Sequence, residues 1–282
     1  MEVPPPPTIE TSEAAGSGAG RRAGPRSWGH LRILVKVVRK TQWIRIGQAN
    51  YDLMGFNVHP TKPGIFLTSG HPGPGDPRPN PLGVEISENG GQSWASLSMV
   101  GQADFHAMAI SPADPRFVYA WNVSGAVGFY RSRDGGRQWT HVQTTFRQVF
   151  ALAASPTNRE EVWAGTDAGL FRSRDGGSTW QAVSPSLTGF PVTAIAIHVA
   201  RPNLIFAYAA IPQLGLIRSD DGGTTWKPLG LFLGTQDAVG YLALDPKNPN
   251  SLYFATFSSD LFWSADGGRT RKQLVRGGQV LR

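Results

Sequence analysis

Ser173-Arg-Asp-Gly-Gly-Ser-Thr-Trp180 is the stretch on which the fold turns, because the chain repeats it. The same spacing returns as Ser132-Arg-Asp-Gly-Gly-Arg-Gln-Trp139 and as Ser219-Asp-Asp-Gly-Gly-Thr-Thr-Trp226. An earlier copy, Ser87-Glu-Asn-Gly-Gly-Gln-Ser-Trp94, has Asn89 in place of the aspartate. The last copy, Ser264-Ala-Asp-Gly-Gly-Arg-Thr-Arg271, ends on Arg271 instead of Trp. The Ser-to-Ser steps are 45, 41, 46 and 45 residues. A period of that length is the spacing of propeller blades. Each residue type has a local reason. The paired glycines supply the positive φ of a tight hairpin. The carboxylate accepts hydrogen bonds from turn N–H groups. The Trp buries a wide face between neighbouring sheets. Acidic turns recurring at one step, four of the five with Asp, would also suit calcium, but a turn-forming role is the expectation.

The flanks of each copy read as strands. An apolar run comes first: Gly55-Phe-Asn-Val-His-Pro60, Ala107-Met-Ala-Ile-Ser-Pro112, Ala151-Leu-Ala-Ala-Ser-Pro156, Ala194-Ile-Ala-Ile-His198 and Gly240-Tyr-Leu-Ala-Leu-Asp-Pro246. A second run follows, such as Phe117-Val-Tyr-Ala120 or Leu252-Tyr-Phe-Ala255. A third strand enters the repeated turn and a fourth leaves it, giving four strands per unit. The fold expected is an all-β propeller of four-stranded blades spanning 31–282 as one domain. About six blades are counted: five complete ones and a half-blade at Ile33-Leu-Val-Lys-Val-Val38 and Trp43-Ile-Arg-Ile46. The alternative is a seven-bladed ring whose N-terminal part is truncated. Residues 1–30, with four consecutive prolines, read as a disordered leader, either a misplaced start or a replaced one.

Composition narrows the function classes. The net charge of +7 comes from the ends: residues 51–265 hold 14 basic and 16 acidic side chains. A nucleic-acid reader carries its basic patch on the folded face, so nucleic acid is not expected as a partner. The absence of cysteine removes disulfides, thiolate metal sites and a Cys nucleophile. No window is apolar and long enough for a membrane span, and no secretory segment is written at the N-terminus. A cytoplasmic monomer is the default, with export open if the true N-terminus differs.

The pattern S-x-D-x-G-x-T-W resembles the Asp-box, or BNR repeat, of sialidases, sortilin-like receptors and photosystem II assembly-factor-like propellers. Over about residues 50–110 the words Asp52-Leu-Met-Gly-Phe56, Ser69-Gly-His-Pro-Gly-Pro74, Asn80-Pro-Leu-Gly83 and Ala103-Asp-Phe-His-Ala107 also resemble a bacterial set of Asp-box propellers described as glycosyl hydrolase or exo-sialidase-like proteins. That resemblance implies a glycan or small ligand, without fixing an activity.

Propeller ligands meet the central axis on one face, at the entries to the inner strands and the loops after the second strands. Asp52 and Asp104 open the first two inner strands in the same register. His106 follows Asp104 by two residues, on the same side of a strand. His71 begins a proline-stiffened loop, 69–83, that is far longer than its counterparts. These four residues are the candidate catalytic or binding site. Asp52 and Asp104 could act as an acid/base pair, or His71, His106 and Asp104 could hold a divalent metal of the zinc or iron type. Both residue types also serve structure, Asp as a turn cap and buried His as a satisfied core residue. His59, His141 and His198 read as structural, and His30 lies in the leader. A true sialidase is not expected: it needs a Glu beside a Tyr nucleophile and three Arg holding a carboxylate. No Glu follows Glu161, Glu160 and Glu161 fall on the wrong face, and Arg131, Arg172 and Arg218 simply recur before each box. The competing reading is a non-catalytic protein-interaction scaffold of the photosystem II assembly-factor-like type.

Overall fold

The structure, a computed structural model, describes residues 8–10, 33–38, 42–47 and 51–281, with 8–10, 33–38 and 42–45 described as backbone alone. Six antiparallel sheets follow one another along the described residues, a three-stranded one and then five blades, and no α-helix occurs among those residues. Blade 1 is built from Asp52–Val58, Phe66–His71, Val84–Ser87 and Ala95–Ser98. Blade 2 comprises Phe105–Ile110, Val118–Asn122, Gly128–Ser132 and Thr140–Val142. Blade 3 runs from Val149–Ala154 through Val162–Thr166 and Gly169–Ser173 to Gln181–Ala182. Blade 4 runs from Val192–His198 through Arg201–Ala209 and Gly215–Ser219 to Lys227–Pro228. Blade 5 starts at Val239–Leu244 and gains a fifth strand, Gln279–Val280, beyond Lys272–Arg276.

The inner strands pack on one another in the order of the blades, which makes the array a propeller. A blade is apolar on both faces because each is covered by a neighbour. Val118–Asn122 and Val162–Thr166, the second strands of blades 2 and 3, are buried at every residue. Four apolar clusters lie between consecutive blades rather than within them. Phe105, Met108 and Leu67 join blades 1 and 2, and Tyr119, Phe129 and Leu152 join blades 2 and 3. Trp163 with Ile205 and Phe206 with Phe254 do the same for the next two pairs.

The repeated turns behave as their residue types require. In the fourth box, Ser219 Oγ accepts from Gly223 N at 2.8 Å and donates to Asp221 Oδ1 at 2.8 Å. Asp221 accepts from Thr225 N at 2.9 Å and from its hydroxyl at 2.5 Å. The box carboxylates are therefore spent on the turn, in line with the structural role expected. Trp180 of the third box packs toward the preceding blade, meeting the Phe129 ring edge-on at 5.3 Å. In the last box Arg271 replaces that contact with hydrogen bonds to Leu229 O and Gly230 O of blade 4.

The half-blade is present as a backbone hairpin, Ile33–Val38 against Gln42–Ile46, and Gly47 beyond it abuts the Gly91 and Gln92 carbonyls of the first box. Thr8–Glu10 pairs with Ile33, Leu34 and Val35 as a third strand of this sheet. The rest of the expected leader lies outside the described residues.

Candidate functional site

The register of the strands sorts the two ends of the ring. Phe105 and Gly128 both lie opposite Asn122, whereas Ser132 lies opposite Val118. Entries to inner strands and exits from second strands therefore share one face, and the boxes take the other.

On the entry face, Asp104 Oδ2 receives two imidazoles. His106 Nε2 is 2.9 Å away and His71 Nε2 is 3.2 Å away. The Asp104 side chain is 5 % exposed, while His71 and His106 are 33 % and 34 % exposed. The acceptor is thus sunk and the two rings form its open rim. The second carboxylate oxygen, Oδ1, is buried without a hydrogen-bond partner, a costly arrangement for an ionised group. His71 is contributed by blade 1 and the other two by blade 2, so the group exists only because the blades pack. Asp52 lies directly across the hairpin from His71, and Gly70 permits that close pairing because a Cβ there would collide with the Asp52 carbonyl. The Asp52 carboxylate stands outside the compact group formed by the other three, whose donor atoms lie within 4.8 Å of one another.

Several supporting residues were not singled out from the sequence. Asn80 Oδ1 accepts from His71 Nδ1 at 2.6 Å, so the long loop folds back onto its own first residue. Arg78 pins that loop: it chelates Asp76, donates to Glu85 Oε2 at 2.8 Å, and lies 4.1 Å over the Tyr51 ring. Glu85 is fully buried and also accepts from Ser96 Oγ at 2.7 Å. Asn122 Oδ1 accepts from Asp104 N at 2.8 Å, and Ser69 Oγ of blade 1 accepts from Phe105 N at 3.0 Å. These two bonds fix the backbone on both sides of the Asp104 side chain. Tyr241, on the inner strand of blade 5, reaches the same axis. Crowding raises the pKa of its phenol and the Asp52 charge raises it further, although 37 % of the residue stays open. Asn80 was legible in one respect, since it opens the word Asn80-Pro-Leu-Gly83. The other partners carry no sequence signal.

The remaining candidates stay apart from this face. His198 Nδ1 accepts from Ala200 N and Arg201 N in a strand-end turn, and His141 stacks on Tyr130 at 4.7 Å. Glu160 pairs with Arg133, and Glu161 with Trp163 Nε1. Arg131 donates to Asp175 O, Gly176 O and Ser178 Oγ of the next box, a bond between blades. Arg172 lies over Trp163 and Arg218 chelates Asp220. A cavity of about 410 Å³ opens on the box face between blades 1 and 2, beside His59, Glu88, Arg116 and Asp134.

Fold and turns together define an Asp-box β-propeller. Residues 217–228, the fourth box with its flanks, match the family model for the BNR/Asp-box repeat. No curated protein matches the chain in sequence. Among solved structures, a GH74 enzyme of Niastella koreensis is similar at a TM-score of 0.55 and 16 % identity, over 81 % of this chain and 46 % of that one. The GH74 xyloglucanase of Xanthomonas campestris gives 0.51 and 19 %, over 82 % and 46 %. The extracellular domain of a hybrid two component system of B. thetaiotaomicron gives 0.56 and 12 %, over 89 % and 32 %. The chain thus spans less than half the length of each, and the likeness is one of fold.

Proposed function

We propose that this propeller binds a small hydroxylated ligand, a sugar or short glycan, on the entry face of blades 1 and 2. The observation that carries the reading is the convergence of His71, Asp104 and His106 from two blades around a sunken carboxylate with an unpaired oxygen. A buried acceptor without a donor is stabilised by a ligand that brings one, and sugar hydroxyls do. Asp52 and the Tyr241 phenol extend the polar lining along the axis. The likeness to GH74 folds, one of them a xyloglucanase, is in keeping with a glycan. Sialidase chemistry finds no support, because Glu160 and Glu161 are held by Arg133 and by Trp163 and Arg174.

The test is binding of a monosaccharide and oligosaccharide panel by saturation-transfer NMR, run beside turnover of chromogenic glycosides. Wild type should bind at least one sugar and Asp104→Asn should lose it. Turnover would assign hydrolysis to the same face. No binding by wild type, or equal binding by Asp104→Asn, refutes the reading.

A further inference from the structure

We propose that His71, Asp104 and His106 hold a divalent transition metal ion, zinc or iron(II), with coordination positions left open toward the axis. The inference rests on the reading of this face as a ligand site and adds the ion through which the ligand would be held.

Four observations lead to it. The first is distance. Ligand atoms about 2.0–2.1 Å from a tetrahedral zinc stand about 3.3 Å from each other. The imidazole nitrogens stand 2.9 and 3.2 Å from Asp104 Oδ2, with all three donors inside 4.8 Å. The second is proton placement. With Asn80 Oδ1 at 2.6 Å, His71 Nδ1 must be the protonated nitrogen of the neutral ring. Its Nε2 then aims a lone pair at a carboxylate oxygen 3.2 Å away, and two acceptors so close need a cation between them.

The third observation is the partner of that ring. A metal-binding imidazole almost always donates its other N–H to an oxygen that fixes the tautomer. Asn80 does this, and Arg78 clamps the loop that carries it. The fourth is burial. Asp104 is 5 % exposed with one oxygen unpaired, so its charge is uncompensated by protein donors on that side. Two imidazoles and one carboxylate suit zinc, iron or copper and are a poor match for calcium or magnesium, which take oxygen ligands. Both rings are a third exposed, so the far side of the ion would face solvent, as in sites that bind substrate and unlike closed structural ones.

The full-length chain is stripped with a chelator, dialysed, and titrated with cobalt(II) by visible absorption. Zinc is then titrated in competition with a chromophoric chelator. One ion per chain is expected, with ligand-field bands showing nitrogen and oxygen ligands. His71→Gln and His106→Gln, whose rings are partly exposed, should each weaken binding by at least about 100-fold, and their circular dichroism should match wild type. Asn80→Ala keeps every ligand and should weaken it about 10–100-fold. His59→Ala and His141→Ala should change nothing. Absence of binding by wild type overturns the proposal, as does unchanged affinity in a His71→Gln/His106→Gln double variant. A His71 ring doubly protonated by nitrogen NMR and insensitive to added ions overturns it too, since a proton would then be the cation. The two readings separate cleanly. Sugar binding that survives chelation removes the metal alone, and ion binding without sugar binding supports the metal while removing the glycan.

Discussion

Gly177, the second glycine of blade 3's Asp-box, should be much harder to replace than Gly90, the first glycine of blade 1's. Gly177 has φ +89°, and a Cβ added there would fall on the edge of the Phe129 ring. That ring has no room to yield. Phe129 is fully buried, stacked on Tyr119 at 6.0 Å and met edge-on by Trp180 at 5.3 Å. Gly90, the first glycine of blade 1's box, has φ +70° and nothing within 4 Å of the same added atom. Alanine at either position meets the left-handed backbone penalty of about 1–2 kcal/mol. Gly177→Ala adds overpacking, about 1–3 kcal/mol. The expected destabilisation is about 2–5 kcal/mol for Gly177→Ala and about 1–2 kcal/mol for Gly90→Ala. The gap of about 1–3 kcal/mol corresponds to about 2–12 °C in Tm for a domain of this size. Urea unfolding followed by tryptophan fluorescence and far-ultraviolet circular dichroism would measure it, with the slope m checked for constancy. Equal losses for the two variants, or a larger one for Gly90→Ala, would refute the argument that box glycines are selected for packing between blades as well as for the turn.

Three further outcomes follow from individual contacts. Arg78→Ala leaves the buried Glu85 carboxylate without its ion-pair partner and should cost about 2–4 kcal/mol in chemical denaturation, with much of the loss recovered by adding Glu85→Gln; no recovery would mean that the loop clamp acts through packing alone. Thr225 donors, joined by the Ser219 hydroxyl, hold the Asp221 carboxyl down at about 2, below its ordinary 3.8, so its stabilising effect is complete above pH 4 and disappears as pH falls toward 2. The stability difference between wild type and Asp221→Asn should accordingly be flat from pH 7 to about 5 and shrink below about 4; a difference that stays constant down to pH 2 would contradict it. Tyr119→Phe removes the hydroxyl that donates to Arg159 O across the boundary of blades 2 and 3, and should lower stability by about 1–2 kcal/mol while leaving the blades intact by circular dichroism.

What the sequence determined by itself is everything whose cause is local. The Ser-x-Asp-Gly-Gly turns, the strands on either side and the period that makes them blades all depend on residues within a few positions of each other. They appear in the structure as expected, down to the hairpin of the half-blade at 33–46. Periodicity also placed Asp104, His106 and His71 on the entry face, because strand direction alternates in a fixed way along every blade. Packing between blades decided the rest. Only the juxtaposition of blades 1 and 2 brings His71 Nε2 onto Asp104, and only the fold-back of the 72–83 loop brings Asn80 onto His71. The same packing leaves the Asp52 carboxylate outside the compact group, although its register matches that of Asp104. Which of two adjacent glycines carries a neighbouring blade's ring is equally invisible in the octapeptide. Local patterns fix dihedral angles and strand faces; distances between groups on different sheets are set by how the sheets close around an axis, and no single repeat encodes that.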